Sequence, residues 1–214
     1  MFAVMSKTRQ KILAKSLMLF NTKGVDNISL RSISSELNIS VGNLQYHFKK
    51  REDIIHELYF QLVNAMDSGI KAGIQSDEKL KELFKLTYLI TSEFYKYRFI
   101  FQDFNSITHQ YPKIKEHYNE LIKYRKLQFL SFIDDLVRND LMRAEILPNE
   151  YDNLFIRIQI LSDFWMSSAA LQSKDISEKL LLRYADVINE TLYPYLTTQG
   201  TKQYLVASNS FKKQ

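Results

Sequence analysis

The sequence predicts an all-α fold, and three observations support this. Apolar side chains recur at three- and four-residue spacing along most of the 214 residues, as they do on the buried face of a helix. Only five Gly and three Pro are present, so few positions interrupt that spacing. The stretches between interruptions are also too long for typical strands. A chain of this length can bury the cores of two helical domains.

The first predicted helix begins at Ser6 and ends at Lys23, just before Gly24. A second, short helix follows Ser29, whose hydroxyl can cap it. Its apolar positions have helical spacing and are Leu30, Ile33 and Leu37. Polar residues occupy most of the other positions, so this helix is expected to pack with one face only.

The third predicted helix follows a break at residues 38–40 and is the most informative segment of the chain. Ser40 can cap this helix, and Leu44 and Phe48 lie four residues apart and face inward. The outward positions carry small or amide side chains, namely Val41, Gly42, Asn43 and Gln45. Small side chains permit close approach to base edges in a major groove, where Asn and Gln can pair with adenine. The two short helices therefore predict a helix-turn-helix whose second helix contacts DNA.

Aromatic and basic residues follow directly and are expected to contact phosphates. The predicted DNA contacts are Ser29, Arg31, Ser40, Val41, Gly42, Asn43, Gln45, Tyr46, His47, Lys49 and Arg51. Alternatives exist, because Tyr46 and His47 could pack at the end of a small core, and Arg31 could reach either phosphate or a guanine edge. Residues 1–60 carry +4 of the total net charge of +5, as expected if this end of the molecule meets DNA.

Residues 9 to 58 resemble the tetracycline-repressor (TetR) family of bacterial one-component regulators. The elements that carry the resemblance keep the family's spacing: Ile12-Leu13, Phe20, Gly24, Ser29, Ile33, Leu37, residues 39–44, Tyr46-His47-Phe48 and Arg51-Glu52. Gln45 stands where members typically carry an aromatic residue, and Arg51 where they often carry Lys. The resemblance implies a dimeric regulator, most simply a repressor, that binds double-stranded operator DNA and a small effector.

The predicted domains are a helix-turn-helix domain at residues 1–52, a helical effector-binding and dimerisation domain at 53–198, and a flexible tail at 199–214. A fourth helix from Arg51 is expected to cross the first boundary. Further helices are expected at about 77–97, 99–109, 114–141, 149–173 and 177–196. The tail is polar and basic, which is typical of a frayed terminus.

Two late helices each have apolar residues on two sides, which predicts contact with a second copy of the chain. The predicted dimer interface consists of Ile160, Phe164, Ser167, Ala170, Leu171, Leu181, Tyr184, Ile188 and Leu192. Alternatively, both faces belong to the core of one subunit. Two recognition helices spaced by about 34 Å would give the specificity that one helix lacks, and this favours the dimer.

Aromatic residues are dense in the middle of the chain, with six of them within residues 94–104. Such rings usually form core, but they can also line a cavity for an apolar or amphipathic ligand. Arg125 could bind a ligand carboxylate or pair internally with Asp163, and the internal pair is expected. The predicted lining is Leu62, Met66, Tyr88, Phe94, Phe104, Tyr118, Ile122, Arg125, Phe129, Asp163 and Phe164.

Other function classes have little support in the sequence. No phosphate-binding Gly-rich loop, nucleophile elbow or pair of His at metal-binding spacing is present, so no enzyme, cofactor or metal site is expected. The absence of Cys excludes disulfides. No signal peptide or membrane-spanning run is found, so the protein is expected in the cytoplasm without membrane contact. The main alternative is a DNA-binding adaptor with a solidly packed second domain and no effector.

Overall fold

A computed structural model confirms the predicted all-α fold. The structure describes residues 6–74, 76, 78–172 and 176–211, with only the backbone described for residues 72–74. The first three helices are α1 (Lys7–Lys23), α2 (Leu30–Glu36) and α3 (Val41–His47). They begin and end close to the predicted positions, because Ser6, Ser29 and Ser40 each cap a helix with the side-chain oxygen.

Eight further helices complete the described part of the chain. They are α4 (Arg51–Ile74), α5 (Lys79–Lys96), α6 (Arg98–Phe101), α7 (Phe104–Gln110), α8 (Pro112–Arg138), α9 (Glu150–Gln172), α10 (Glu178–Glu190) and α11 (Thr198–Phe211), with a 3-10 turn at Tyr193–Tyr195. One helix was expected at 99–109, but two are found, because Asp103 caps α7 by accepting a hydrogen bond from Ser106 N. None of the described helices is long and apolar enough to span a membrane.

The buried side chains form two clusters. The first joins α1–α4 to α6, α7, α9 and the start of α10, and it includes Phe20, Leu44, Ile54 and Trp165. The second joins α5, α8, α9 and α11 and is built around Phe84, Leu136, Leu154 and Tyr204. The helix-turn-helix thus shares a continuous core with the helices that follow it, and α4 runs through that core from one part to the other.

The prediction of a flexible tail at 199–214 was wrong for the residues that the structure describes. Residues 198–211 form α11, which packs against α5 with Tyr204 and Ala207 buried. The preceding segment is also fixed, because Thr197 N donates to Leu141 O (3.1 Å). The polar composition of α11 describes its outer face, whereas a few small and aromatic residues make the contact. Residues 212–214 lie outside the described part of the chain.

Gly200 provides a test of this docking. An added Cβ would overlap the backbone carbonyl of Leu141, which cannot move away as a flexible side chain could. We therefore expect Gly200→Ala to lower the free energy of unfolding by about 1–3 kcal/mol, as overpacking does elsewhere. Urea titration followed by circular dichroism measures this, with the exposed Gln203→Ala as the control. Equal stability of both variants would show that α11 does not pack here in solution.

Candidate DNA interface and ligand cavity

The turn between α2 and α3 is fixed by local hydrogen bonds. Ser29 Oγ accepts from Ser32 N (3.1 Å) and Ser40 Oγ accepts from Asn43 N (3.1 Å). Asn38 adopts a left-handed conformation with φ of 52°, which Asn tolerates better than most residues and which ends α2. Both Ser hydroxyls predicted to contact DNA are therefore first of all helix caps.

The orientation of α3 agrees with the prediction. Leu44 and the following Phe48 are buried, so the opposite side of α3 faces outward. Gly42, Asn43, Gln45 and Tyr46 are all exposed, and Tyr46 is 85% exposed. Val41 and His47 are half-buried at its edges. We call the outward side chains of residues 41–47 the recognition face.

Several basic residues near the recognition face are available to phosphates. Among the residues that the structure describes, no carboxylate pairs with Arg31, Lys49 or Lys50, and all three side chains are exposed. Other nearby cations are engaged, because Lys15 and Lys23 both lie near Glu36 (3.7 and 3.6 Å). Among the described residues, positive charge without a carboxylate partner therefore remains on α2 and directly after α3, and also at Lys7 and Lys11 of α1.

Arg9 has a structural role that the sequence did not reveal. Its guanidinium donates to His47 O (3.0 Å) and to Glu57 Oε2 (3.1 Å), and it lies 4.2 Å from the centre of the Phe48 ring. One side chain of α1 thus holds the end of α3 against α4. The signal in the sequence was too weak to identify it, since an Arg near the start of a helix is usually solvated.

Arg51 was predicted to contact a phosphate, but its guanidinium binds the protein itself. Its Nη1 donates to the carbonyl oxygens of Val25 (2.9 Å) and Ile28 (3.1 Å), in the loop between α1 and α2. The side chain is half-buried. The difference follows from tertiary packing, because the first turn of α4 lies against that loop and brings a charged donor to both carbonyls, of which Val25 O also accepts from Ile28 N (3.2 Å).

We therefore expect Arg51→Ala to lower the free energy of unfolding by about 2 kcal/mol, because two carbonyls lose a charged donor. Lys50→Ala should instead leave stability unchanged and reduce the salt dependence of DNA binding by about one ion. Urea unfolding and titrations at several salt concentrations distinguish the two effects. A stable Arg51→Ala variant with the reduced salt dependence would restore the phosphate-contact assignment.

Two adjoining cavities lie in the second part of the chain. The inner cavity, of about 130 Å³, lies between α5, α8, α9 and α10. The outer cavity, of about 200 Å³, lies between α4, α5 and α8. They share an apolar wall formed by Leu83, Leu86, Ile90, Phe129 and Phe132. Polar groups are few, and the charged ones, Lys79, Glu82 and Arg125, line only the outer cavity.

Only three of the predicted lining residues reach these cavities, namely Phe94, Arg125 and Phe129. Leu62 and Phe104 are buried core, Met66 packs against that core, and Ile122 is half-buried elsewhere on α8. Tyr88 faces α10 and α11, where its hydroxyl donates to Glu178 Oε1 (3.3 Å). Phe164 lies on α9, is 40% exposed and lines neither cavity. The sequence missed the Leu and Ile residues of α5, because aliphatic residues on a helix carry no signal that separates a cavity wall from core.

The expected ion pair between Arg125 and Asp163 is not formed. Arg125 instead pairs with Asp67 of α4 and donates to Gln128 Oε1 (2.7 Å). Asp163 accepts a hydrogen bond from the Tyr118 hydroxyl, which itself accepts from Gln159 Nε2 (3.2 Å). Burial raises the pKa of Asp163 to about 6. This cluster joins α8 to α9 and lines neither cavity.

The predicted dimer interface separates into two groups. On α9, Ile160, Phe164, Ala170 and Leu171 are exposed, Ser167 is half-buried, and Ile156 adds a further exposed apolar side chain. The prediction of interface contacts was wrong for four residues on α10 and beyond it, because their side chains face the core of their own subunit. These residues are Leu181, Tyr184, Ile188 and Leu192. We call the exposed residues 156, 160, 164 and 171 the α9 stripe.

Two contacts link the cavity walls to the helix-turn-helix. Gly69 of α4 lies so close to α5 that an added Cβ would overlap the Leu89 side chain, and it also lies beside Leu86, which lines both cavities. At the other end of α5, Asn21 of α1 donates to Lys96 O (2.8 Å) and accepts from Phe99 N (3.0 Å). Displacement of α5 would therefore affect α4 and α1 together.

Comparison with known proteins identifies the same two parts. Residues 12–58 match the family described as bacterial regulatory proteins, tetR family, and residues 61–204 match a TetR family described as bacterial transcriptional repressor. The probable HTH-type transcriptional regulator YttP of Bacillus subtilis (strain 168) is 26% identical over 95 residues, which are 42% of this chain and 45% of that protein. An HTH-type transcriptional regulator of Staphylococcus aureus (strain bovine RF122 / ET3-1) is 42% identical over 87 residues, 39% of this chain and 46% of that protein. The chain thus matches slightly less than half the length of these curated relatives.

Solved structures share the fold over nearly the whole chain. A TetR-family transcriptional regulator from Marinobacter aquaeolei VT8 superposes with a TM-score of 0.83 at 23% identity, covering 96% of this chain and 99% of that one. A transcriptional regulator from Saccharomonospora viridis, solved in complex with choline, gives a TM-score of 0.69 at 21% identity, covering 90% and 98%. With both parts of the sequence matched and the helical architecture shared, this chain belongs to the TetR family of bacterial regulators.

Proposed function

We propose that this chain is a cytoplasmic transcriptional repressor that binds operator DNA as a homodimer and releases it when a small molecule enters the second domain. It is proposed to act as a regulator and to catalyse no reaction. The proposal retains the two predicted functional units, residues 1–52 for DNA and residues 53–198 for the effector and the dimer contact, and adds α11 to the second.

The recognition face is the observation that carries the proposal. A short helix anchored by two buried side chains presents Gly42, Asn43 and Gln45 to solvent, and it is followed directly by the exposed Lys49 and Lys50, which have no carboxylate partner among the described residues. Small and amide side chains suit base edges, and the cations suit phosphates on both sides of a groove. The exposed side chains of this face are not part of the buried core, which supports a role in binding.

The cavities favour a sensor over an adaptor without an effector. An adaptor would be expected to pack its second domain solidly, whereas two cavities adjoin within this one. We propose that a ligand between α5 and α8 displaces α5, and that Gly69 and Asn21 transmit the displacement to α4 and α1. The distance between the two recognition faces of a dimer would change. The ligand must bind the DNA-incompetent form more tightly, by about 1–3 kcal/mol for a typical coupling.

The dimer contact is proposed to involve the α9 stripe. Exposed apolar side chains four residues apart, such as Ile156, Ile160 and Phe164, would be costly to leave in water along one helix face. Packing against the same stripe of a second copy would remove them from water and form a bundle with α10.

The test is a fluorescence-anisotropy titration of the protein with the DNA upstream of its own gene. Scrambled DNA of equal length is titrated in parallel, at two salt concentrations. We expect the native DNA to bind at least about 10³-fold more tightly, and this preference should persist at the higher salt. Asn43→Ala should relax the preference at one base position, whereas Lys50→Ala should weaken binding to both DNAs alike.

Equal and steeply salt-dependent binding to both DNAs would support the adaptor, once a genome-wide binding selection has also found no preferred sequence. No binding to either DNA would overturn the assignment of α3 as the recognition helix. Uniform loss of affinity in Asn43→Ala would show that this side chain does not contact a base.

A further inference from the structure

The inner cavity has a polar feature that the fold itself does not use. Trp165, the only tryptophan of the chain, lines this cavity and is 3% exposed. Its Nε1 is buried and has no acceptor among the residues that the structure describes. A buried N–H without a partner costs free energy, and the indole N–H of a buried Trp usually finds an acceptor. An acceptor brought by a ligand would remove that cost.

Besides Trp165, the polar residues that line the inner cavity are Thr87, Thr91, Ser162 and Asn189, and three of their polar atoms are engaged in hydrogen bonds within the protein. Thr87 Oγ1 donates to Asn189 Oδ1 (2.7 Å), and Thr91 Oγ1 donates to Thr87 O (2.7 Å). None of the described residues that line the inner cavity is ionisable. A charged ligand group would therefore be buried without a counter-charge, and this is strongly unfavourable.

The size of the inner cavity limits what can enter. Its volume of about 130 Å³ is comparable to an engineered cavity of about 150 Å³ that stays dry and binds benzene. One ring or a short branched chain would fill it. Any longer part of a ligand would extend past Leu86 and Phe129 into the outer cavity, where the charge of Arg125 is balanced by Asp67.

From these observations we infer that the inner cavity binds an uncharged apolar molecule whose hydrogen-bond acceptor, such as a ketone, ester or lactone carbonyl, receives the Trp165 Nε1 proton. This deepens the proposed function and rests on it, since it names the chemical class of the effector. Trp165 would then determine specificity, because hydrocarbons without an acceptor would leave its N–H unpaired.

Three probes of nearly equal size test the inference: acetophenone, isopropylbenzene and benzoate. They share a ring and differ in carrying a neutral acceptor, no acceptor or a charge. Calorimetry measures their affinities for the full chain without DNA, and for Trp165→Phe, which keeps an aromatic ring but lacks the N–H. A ¹⁵N–¹H spectrum adds a direct readout, since a single tryptophan gives a single indole signal.

We expect acetophenone and isopropylbenzene to bind and benzoate not to bind at the same concentrations. The ratio of acetophenone affinity to isopropylbenzene affinity should fall about 5- to 10-fold in Trp165→Phe, the effect of one lost hydrogen bond. Acetophenone should also move the indole proton signal of the wild-type protein downfield, whereas isopropylbenzene should not. This last comparison needs no variant, so it stands even if Trp165→Phe folds poorly.

The inference is overturned by an unchanged affinity ratio with no downfield shift, by benzoate binding as tightly as acetophenone, or by no binding of any probe. These outcomes leave the DNA-binding proposal intact, because the operator titration is made without ligand. Conversely, if neither DNA bound in the operator titration but the probes bound as expected, the inference about the inner cavity would stand and the proposed DNA-binding function would not.

Discussion

Gly42→Glu is expected to abolish operator binding while the protein remains folded. Gly42 is exposed at the second position of α3, and an added Cβ would meet only Ser40 Oγ, at 4.0 Å. The fold therefore has room for a side chain, and a carboxylate near a helix N-terminus is electrostatically favourable. In the complex with DNA, the same carboxylate would be repelled by the phosphates. It would also occupy the space that Gly42 leaves for the close approach of α3 to base edges. We expect specific affinity to fall by at least about 100-fold.

The matched control is Gly42→Ala, which adds one methyl group and no charge. Because Gly is a poor helix former, this variant should unfold at the same or a slightly higher temperature, with a gain of about 0.5–1 kcal/mol. Its loss of DNA affinity should be much smaller than that of Gly42→Glu. Thermal unfolding and anisotropy titrations of both variants measure these effects. Operator binding of Gly42→Glu at the wild-type affinity would show that the recognition face does not enter the groove.

Ile160→Glu is expected to produce a folded monomer with weak operator binding. Ile160 is 55% exposed at the centre of the α9 stripe, so the single chain loses little when it is replaced. In a dimer the two carboxylates would be buried close together across the two-fold axis, which is costly without a counter-charge. A monomer places only one recognition face on a half-site. The loss of the linked second contact should reduce affinity on the order of 10²- to 10³-fold.

Val206→Glu is the control for Ile160→Glu. Val206 is 68% exposed on α11, a helix that packs against α5, and should tolerate the same substitution without effect. Light scattering after gel filtration gives the oligomeric state, and circular dichroism checks the fold of both variants. A dimeric Ile160→Glu variant with full affinity would place the interface elsewhere, for example at the exposed Tyr124 and Leu127 of α8.

The corrections to the ligand site share one cause. Arg125 and Asp163 were expected to pair because both interrupt apolar runs, yet each found a different partner, Asp67 and Tyr118. Periodicity shows that a helix has a buried face but not which neighbour that face meets. The orientation of α5 against α8 decided that Leu83, Leu86 and Ile90 line the cavities. Most of the aromatic residues that were predicted to line a cavity instead belong to the core or pack against it.

The sequence by itself determined the helix-turn-helix. Capping by Ser29 and Ser40, the left-handed Asn38 and the spacing of Leu44 and Phe48 act within a few residues, so local chemistry was enough to orient the recognition face. Only the tertiary structure decided that Arg51 holds a distant loop, that residues 198–211 dock as a helix, and that Trp165 lines a cavity while its buried N–H has no acceptor among the described residues. These features depend on contacts between segments far apart in the chain, and such contacts are set by the angles at which helices cross.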